Sequence, residues 1–298
     1  MLKKRASLAD LTFRELKIYY AEKGFHVDDS SFEANFNLRN KEGDYNLLAE
    51  LLADKNNIPF SFVKFNGTDK SAISERNDYG FGCILSVYEK IKARLSAENI
   101  CVSDTTVRPR KDRYLFNFDA VNEAVLNALV HNDWTVTEPQ ISLFTDRMEI
   151  LSHGGLPSGM STEDFYEGIS HPRNSTLMRV FLNKGLTEHT GHGVPTIIKK
   201  YGKEVFEITD NYIKCRIPYD KNVLEMSRKN VGTNVGINKT EKAILGLLIS
   251  NPEMTAEEIA IEVGVTKRTI ERTLVSLKKK GLIERIGSNK SGSWAVIQ

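Results

Sequence analysis

The chain has 298 residues, 40% hydrophobic and 27% charged, an ordinary globular composition whose length favours about two domains. A net charge of +2 and a pI near 8.3 exclude a general polyanion binder, so any nucleic-acid contact must come from a local patch. Cys83, Cys101 and Cys215 lie far apart with no C-x-x-C pair, which excludes a disulfide framework or a thiolate zinc site and predicts a reducing, cytoplasmic setting.

The opening run "MLKKRASLADLTF" lacks the apolar core of a secretory signal, and runs such as "AILGLLI" fall short of a membrane span. Residues 1–105 read as an N-terminal α/β region packed on a central domain. "SLADLTFRELKIYYAEKG" predicts a helix with Ser7 and Thr12 as candidate N-caps and a stop at Gly24. "DYNLLAELLAD" predicts a short amphipathic helix, "IPFSFVKFNG" a strand, and "FGCILSVYEKIKARLSA" a longer helix.

From 106 to 218 the pattern changes. "NEAVLNALVHNDW", residues 122–134, reads as a helix with Glu123, Asn127 and His131 at intervals of four inside an apolar run. Four residues turn a helix by about 400°, so the three share one face, while Phe118, Val121, Val125 and Ala128 occupy another and pack on the sheet. A carboxylate and a carboxamide in line beside a cleft suit metal–phosphate chemistry: the amide oxygen completes a Mg²⁺ shell and the glutamate polarises a water. "QISLFT" and "RMEILS" predict a hairpin. The glycine loop "SHGGLPSG" and the polar stretch "MSTEDFYEGISHPRNST" follow. Then come a helix "LMRVFLNKG", a second glycine loop "TGHGV", a helix "PTIIKKYG", and two strands about an Asp-Asn turn in "EVFEITDNYIKCRIP". Helices among antiparallel strands predict an α+β sandwich, a sheet with helices on one face.

Residues 219–238 lack sustained periodicity and read as a linker. Residues 239–298 read as a separate winged helix-turn-helix. Thr255 and Glu258 form a capping box, Gly264 supplies the turn, and Thr266 caps a second helix with Ile270, Leu274 and Leu277 at helical spacing. Thr266, Lys267, Arg268, Thr269 and Arg272 lie near the start of that helix, where such motifs read base edges. Lys290 sits at the tip of the wing. Ten Lys and Arg against seven acids make this module +3.

"NEAVLNA" resembles the N-box of the GHKL (Bergerat-fold) ATPases, the superfamily of gyrase B, MutL and sensor histidine kinases, with Glu123 and Asn127 in its E-x-x-x-N pattern. "NEAVLNALVHNDW", "DRMEILSHGGLP", "HPRNSTLMRVF" and "GHGVPTI", in that order, are similar to a bacterial and archaeal family of transcriptional regulators labelled RecG-related or ATP-dependent DNA helicase-like, over residues 45–217. The resemblance implies a GHKL-type sandwich over 106–218 that takes ATP and Mg²⁺. Asn127 would hold the metal and Glu123 would activate water. Gly154 and Gly155 form the first glycine box, Gly191 and Gly193 the second, where backbone amides and a helix N-terminus meet phosphates. Arg173 reaches phosphate or, equally, caps a carbonyl. His131 reads as structural, beside Trp134. The pattern departs at Ser152-His153, where the superfamily carries an Asp that accepts from the adenine amine; a hydroxyl is a weaker acceptor, which puts adenine selection and hydrolysis in question.

The expected function is a DNA-binding transcriptional regulator whose nucleotide-binding-like domain senses a ligand or dimerises. A Mg-dependent ATPase coupled to DNA and a degenerate GHKL scaffold without nucleotide are the alternatives. Expected partners are double-stranded DNA, a nucleotide and a second copy of the chain. No G-x-x-x-x-G-K-[ST] run exists, so a helicase motor is excluded. An AlbA/Schlafen-like DNA-binding domain precedes this region in many members and is expected to end before residue 1.

Overall fold

The computed structural model describes residues 1–25, 28–104, 108–169, 171–184, 193–234, 239–287 and 292–296. The chain divides into two compact units, Met1–Leu224 and Glu225–Gln298. In the first, helices α1 (Arg14–Glu22), α2 (Phe32–Asn35) and α3 (Leu47–Leu52) come before any strand. Neither expected cap serves α1. Instead Asp54 accepts from the backbone N–H of Arg14 and Glu15 at 2.8 and 2.7 Å and from the Thr12 hydroxyl at 2.7 Å. Ser7 donates from its backbone and hydroxyl to Glu50. Gly24 stops the helix as expected, at φ +77°. The expected amphipathic helix α3 is buried on every side, Glu50 included, and Ser7 supplies the hydrogen bonds its carboxylate would otherwise take from water.

The sheet strands are β1 (Ser61–Phe65) and β2 (Ile73–Asp78), then, after helix α4 (Ile84–Glu98), the ribbon β3 (Cys101–Asp104) with β4 (Lys111–Tyr114). Helix α5 (Phe118–His131) leads into β5 (Gln140–Leu143) and β6 (Arg147–His153). Helices α6 (Thr162–Glu167), α7 (Ser175–Lys184) and α8 (Gly193–Tyr201) precede β7 (Phe206–Ile208), β8 (Tyr212–Pro218) and α9 (Lys221–Asn234). Six strands form one mixed sheet in the order β2-β1-β5-β6-β8-β7, with β1 and β5 parallel and the other neighbours antiparallel. The expected boundary at residue 105 therefore falls inside a single sheet: β1 pairs directly with β5, Phe62 against Ile141. Both expected hairpins form, β5–β6 and β7–β8.

Register puts Phe62, Ile141, Leu143, Met148, Ile150, Cys215 and Ile217 on one face, all buried. On that side Arg94 of α4 lies over the Phe62 ring. The opposite face carries a charged ladder: Glu149 bonds to Arg147 and Arg216, and Arg216 to Glu207. This division, apolar and helix-covered on one side, polar on the other, is the α+β sandwich the pattern predicts. Helix α6 lies within the expected polar stretch; a Ser161/Asp164 capping box opens it and Gly168 at φ +78° closes it. The three cysteines are unpaired, and burial pushes the thiols of Cys83 and Cys215 up to about 12. Among the described residues no helix is long and apolar enough to cross a membrane.

The expected linker, residues 219–238, holds the boundary between the two units, and most of it is helix α9. Asp220 accepts from the N–H groups of Asn222 and Val223 at 2.9 and 3.3 Å, which caps α9, and Val223 is fully buried beneath it. One cap and one anchor suffice where sustained periodicity is missing.

The second unit holds α10 (Lys239–Ser250), α11 (Ala256–Val263), α12 (Lys267–Lys279) and the hairpin β9 (Ile283–Ile286) with β10 (Ser293–Val296). Ile244, Leu248, Ile259, Ile270, Leu274, Leu277 and Ile283 form its core, and Ala260 admits the close helix crossing. Buried Glu241 of α10 accepts from the Ser276 hydroxyl at 3.0 Å and from the Lys280 ammonium at 2.8 Å, tying α10 to the end of α12.

Candidate nucleotide pocket and nucleic-acid interface

Helix α5 begins at Asn117, whose side chain accepts from the Ala120 N–H at 2.9 Å. Val121, Val125 and Ala128 are buried, and Phe118 only in part. Glu123, Asn127 and His131 form the half-buried line that their spacing predicts. The first residue of α8 meets this line. A Cβ built on Gly193 would lie 2.6 Å from the Glu123 Oε2 and 3.2 Å from the Asn127 Nδ2, so the start of α8 lies directly against the tips of these two side chains. The structure thus brings Glu123, Asn127 and Gly193 together. Gly191, with His192, lies outside the described residues.

The first glycine box behaves differently. Gly154 N–H donates to the Asn211 carbonyl at 2.7 Å and Gly155 N–H to the Asp210 carbonyl at 3.0 Å. These amides, expected to face phosphate, are taken by the β7–β8 turn. A Cβ on Gly155 would stand 2.5 Å from the Thr209 carbonyl oxygen, and one on Gly154, at φ +84°, 2.9 Å from the Arg173 Cζ. Gly155 lets the backbone of the β7–β8 turn come close, and Gly154 combines a left-handed backbone with room for the Arg173 guanidinium.

Arg173 takes the capping alternative. Its Nε donates to the His131 carbonyl at 3.1 Å, closing the C-terminus of α5, and its Nη2 donates to the Gly155 carbonyl at 2.7 Å. Asp133 lies 3.8 Å from Nη1. Asn174, which is buried, donates to the carbonyls of Val130 and Asn132 at 2.9 Å. The sequence offers the signal for Asn174, a carboxamide in "HPRNST", but not its two acceptors forty residues earlier. Burial, with the Arg173 cation next, pushes the His131 imidazole down to about 4, so it is neutral at pH 7. Trp134 Nε1 donates to the Leu129 carbonyl at 3.0 Å.

At the end of β6 the Ser152 hydroxyl is buried, 3.4 Å from the Ile213 carbonyl oxygen. His153 is held by its backbone, N–H to Asn132 Oδ1 at 2.8 Å and C=O from the Asp133 N–H at 2.9 Å, while its buried Nε2 has no hydrogen-bond partner among the described residues. No group of three His, Cys, Asp or Glu among the described residues could hold a metal unaided. The residues therefore fit the metal–phosphate end of a nucleotide, where Glu123 and Asn127 face the start of α8 and phosphate oxygens would complete a Mg²⁺ shell. They place no carboxylate at the Ser152 position, the base end.

In the second unit the local grammar holds. Thr255 and Glu258 form the capping box, Gly264 at φ +73° ends α11, and Thr266 caps α12 through the Thr269 N–H. Lys267, Arg268, Thr269 and Arg272 are all exposed. Their states differ. Lys267 pairs with Glu257 across the turn, and the Thr269 hydroxyl bonds to Thr266. Arg268 and Arg272 make no ion pair among the described residues. Lys290 lies outside the described residues. The sequence reading missed Arg285, which stacks on its cross-strand partner Trp294 at 4.7 Å; the signal is a basic and an aromatic residue at paired positions of a hairpin.

Comparison with known proteins agrees with this division. Residues 137–210 match a family model described as "Putative ATP-dependent DNA helicase recG C-terminal". Residues 233–293 match one described as "Sugar-specific transcriptional regulator TrmB". No curated protein matches. Among solved structures the chain is similar to the DIP2311 protein from Corynebacterium diphtheriae, with a TM-score of 0.56 and 16% identity over 99% of this chain, a likeness of fold. The chain spans 64% of the length of that protein. The chain thus joins a RecG-C-terminal-like segment, set in an α+β sandwich of GHKL type, to a winged helix of the kind found in TrmB regulators.

Proposed function

We propose that the protein is a DNA-binding transcriptional regulator whose sheet unit binds a phosphate-bearing nucleotide with Mg²⁺ and acts as a sensor. The observation that carries the DNA half is α12, a capped, exposed helix of a winged helix with two arginines that make no ion pair among the described residues. The nucleotide half rests on Glu123 and Asn127 meeting the start of α8 at Gly193. In this reading Asn127 holds the metal through its amide oxygen and Glu123 orients or polarises a water. Gly154, Gly155 and Arg173 shape the pocket wall by holding the end of α5 against the β7–β8 turn. Thr266 and Lys267 set the recognition helix, Arg285 belongs to the wing, and Lys290 joins the DNA contact by its place in the sequence alone. A homodimer reading two half-sites, and a cytoplasmic place of action, go with this function.

The test of the DNA half is binding of the full chain to duplex DNA. Lys267→Ala, Arg268→Ala and Arg272→Ala combined are expected to weaken it at least tenfold, and unchanged binding by that variant would sink the reading. For the sensor half, ATP with Mg²⁺ at a hundred times its Kd stabilises the fold by about 2.7 kcal/mol. No shift in melting temperature at millimolar nucleotide would instead favour a scaffold, a second reading that draws on the occupied amides of Gly154 and Gly155. ATP turnover abolished by Glu123→Ala with binding retained would make the chain an ATPase.

A further inference from the structure

Helix α12 presents a narrow stripe opposite its core. At 100° per residue, Ile270, Leu274 and Leu277 point one way, and Arg268, Arg272, Val275 and Lys279 point the other. Val275 is 58% exposed, an apolar side chain left in water beside two arginines. Every hydroxyl on the same stretch is engaged. Thr266 and Thr269 bond to each other, Thr273 donates to the Thr269 carbonyl, and Ser276 donates to Glu241. Lys267 is held by Glu257. Among the described residues, the outward stripe thus offers Arg268, Arg272, Val275 and Lys279 without an ion-pair partner, with Glu271 exposed beside it. Of these, the two arginines and the valine have the chemistry to prefer guanine and thymine along the first three turns.

We infer that this stripe reads guanine twice and thymine once in the major groove: Arg268 and Arg272 each donate to the O6 and N7 of a guanine, and Val275 packs on a thymine methyl. This rests on the DNA-binding function proposed above and names the sequence chemistry it selects. Arginine's planar fork matches the two guanine acceptors, and an apolar side chain distinguishes thymine by its methyl. Four residues of helix rise about 6 Å, against about 3.4 Å per base step, which puts the two guanines one or two steps apart when α12 follows the groove. Val275 falls about one step farther on.

The experiment starts from a randomised duplex library selected on the full chain at low salt, followed by titration of the enriched duplex. The expected enrichment is two G·C pairs one or two steps apart with an A·T pair beside them. Replacing either guanine by 7-deazaguanine, which still pairs with cytosine but lacks N7, should weaken binding about fivefold or more. Arg272→Lys keeps the charge and should keep the salt dependence while losing the guanine preference. Uracil in place of the thymine should cost affinity in the parent chain and nothing further in Val275→Ala. Enrichment without guanine, or indifference to 7-deazaguanine, overturns this inference and leaves DNA binding standing. So does an Arg268→Ala variant whose selected sequence is unchanged while its salt slope falls, since that arginine would then sit on phosphate. Failure to bind any duplex overturns both this inference and the function beneath it.

Discussion

Gly193 is where a missing side chain lets α8 start against Glu123 and Asn127. Its absent Cβ would stand 2.6 Å from a carboxylate oxygen, closer than atoms tolerate, so Gly193→Ala must move either Glu123 or the start of α8. Because the clash is with the mobile end of the Glu123 side chain, the expected effect is a small loss of stability together with loss of any nucleotide-induced rise in melting temperature. A variant that keeps the nucleotide-induced rise would show that the contact between Gly193 and Glu123 does not shape binding. His131 gives a second residue-scale test. Its folded imidazole, held down to about 4, binds fewer protons than the unfolded one at about 6.5, so its contribution is complete above the unfolded value and lost as pH falls toward 4. His131→Gln should remove that dependence, narrowing the stability difference between pH 7 and pH 4 by on the order of 2 kcal/mol. Parallel pH profiles for parent and variant would mean the imidazole is not desolvated. Glu123, Asn127 and His131 were legible as a line because helical period alone aligns them. The identity of their neighbour was not, since Gly193 comes from sixty-two residues beyond His131.

At the scale of elements, short-range grammar was read well and partnership was not. The capping box of α11, the turn at Gly264 and the hairpins β5–β6 and β7–β8 each depend on residues within a few positions of one another. Ser7 and Thr12 show the limit: both have the chemistry of a cap, yet a carboxylate some forty residues away claims each hydroxyl. The same reason hid the role of Glu241. On sequence it is one more charge at the start of an exposed helix; in the fold it is 2% exposed and takes both Ser276 and Lys280. Glu241→Ala strips a buried acceptor from two donors and should cost about 3 kcal/mol within the winged helix. Hydrogen exchange is the measurement: amides of α10 and α12 should exchange faster while those of α5 keep their rates, and uniform rates throughout would discount the pair.

For the whole molecule the question is whether the two units communicate. If nucleotide and DNA are linked, the factor by which ATP with Mg²⁺ alters duplex affinity must equal the factor by which duplex alters nucleotide affinity, and couplings of this kind run to about fivefold or more. Titrations of the full chain in both orders are expected to return one common factor. Independence in both orders would make the sheet unit a scaffold with respect to DNA. By itself the sequence determined the fold class, the winged helix with its caps, and the α5 line, because each is written in period, caps and turn residues close together in the chain. Only the tertiary structure decided that β1 joins the sheet beside β5, that the Gly154 and Gly155 amides serve the β7–β8 turn, and that Arg173 closes α5. The physical reason is common to all three. A backbone N–H, a carbonyl or a guanidinium accepts many partners of equal chemistry, and which one it meets is settled by packing segments far apart in sequence.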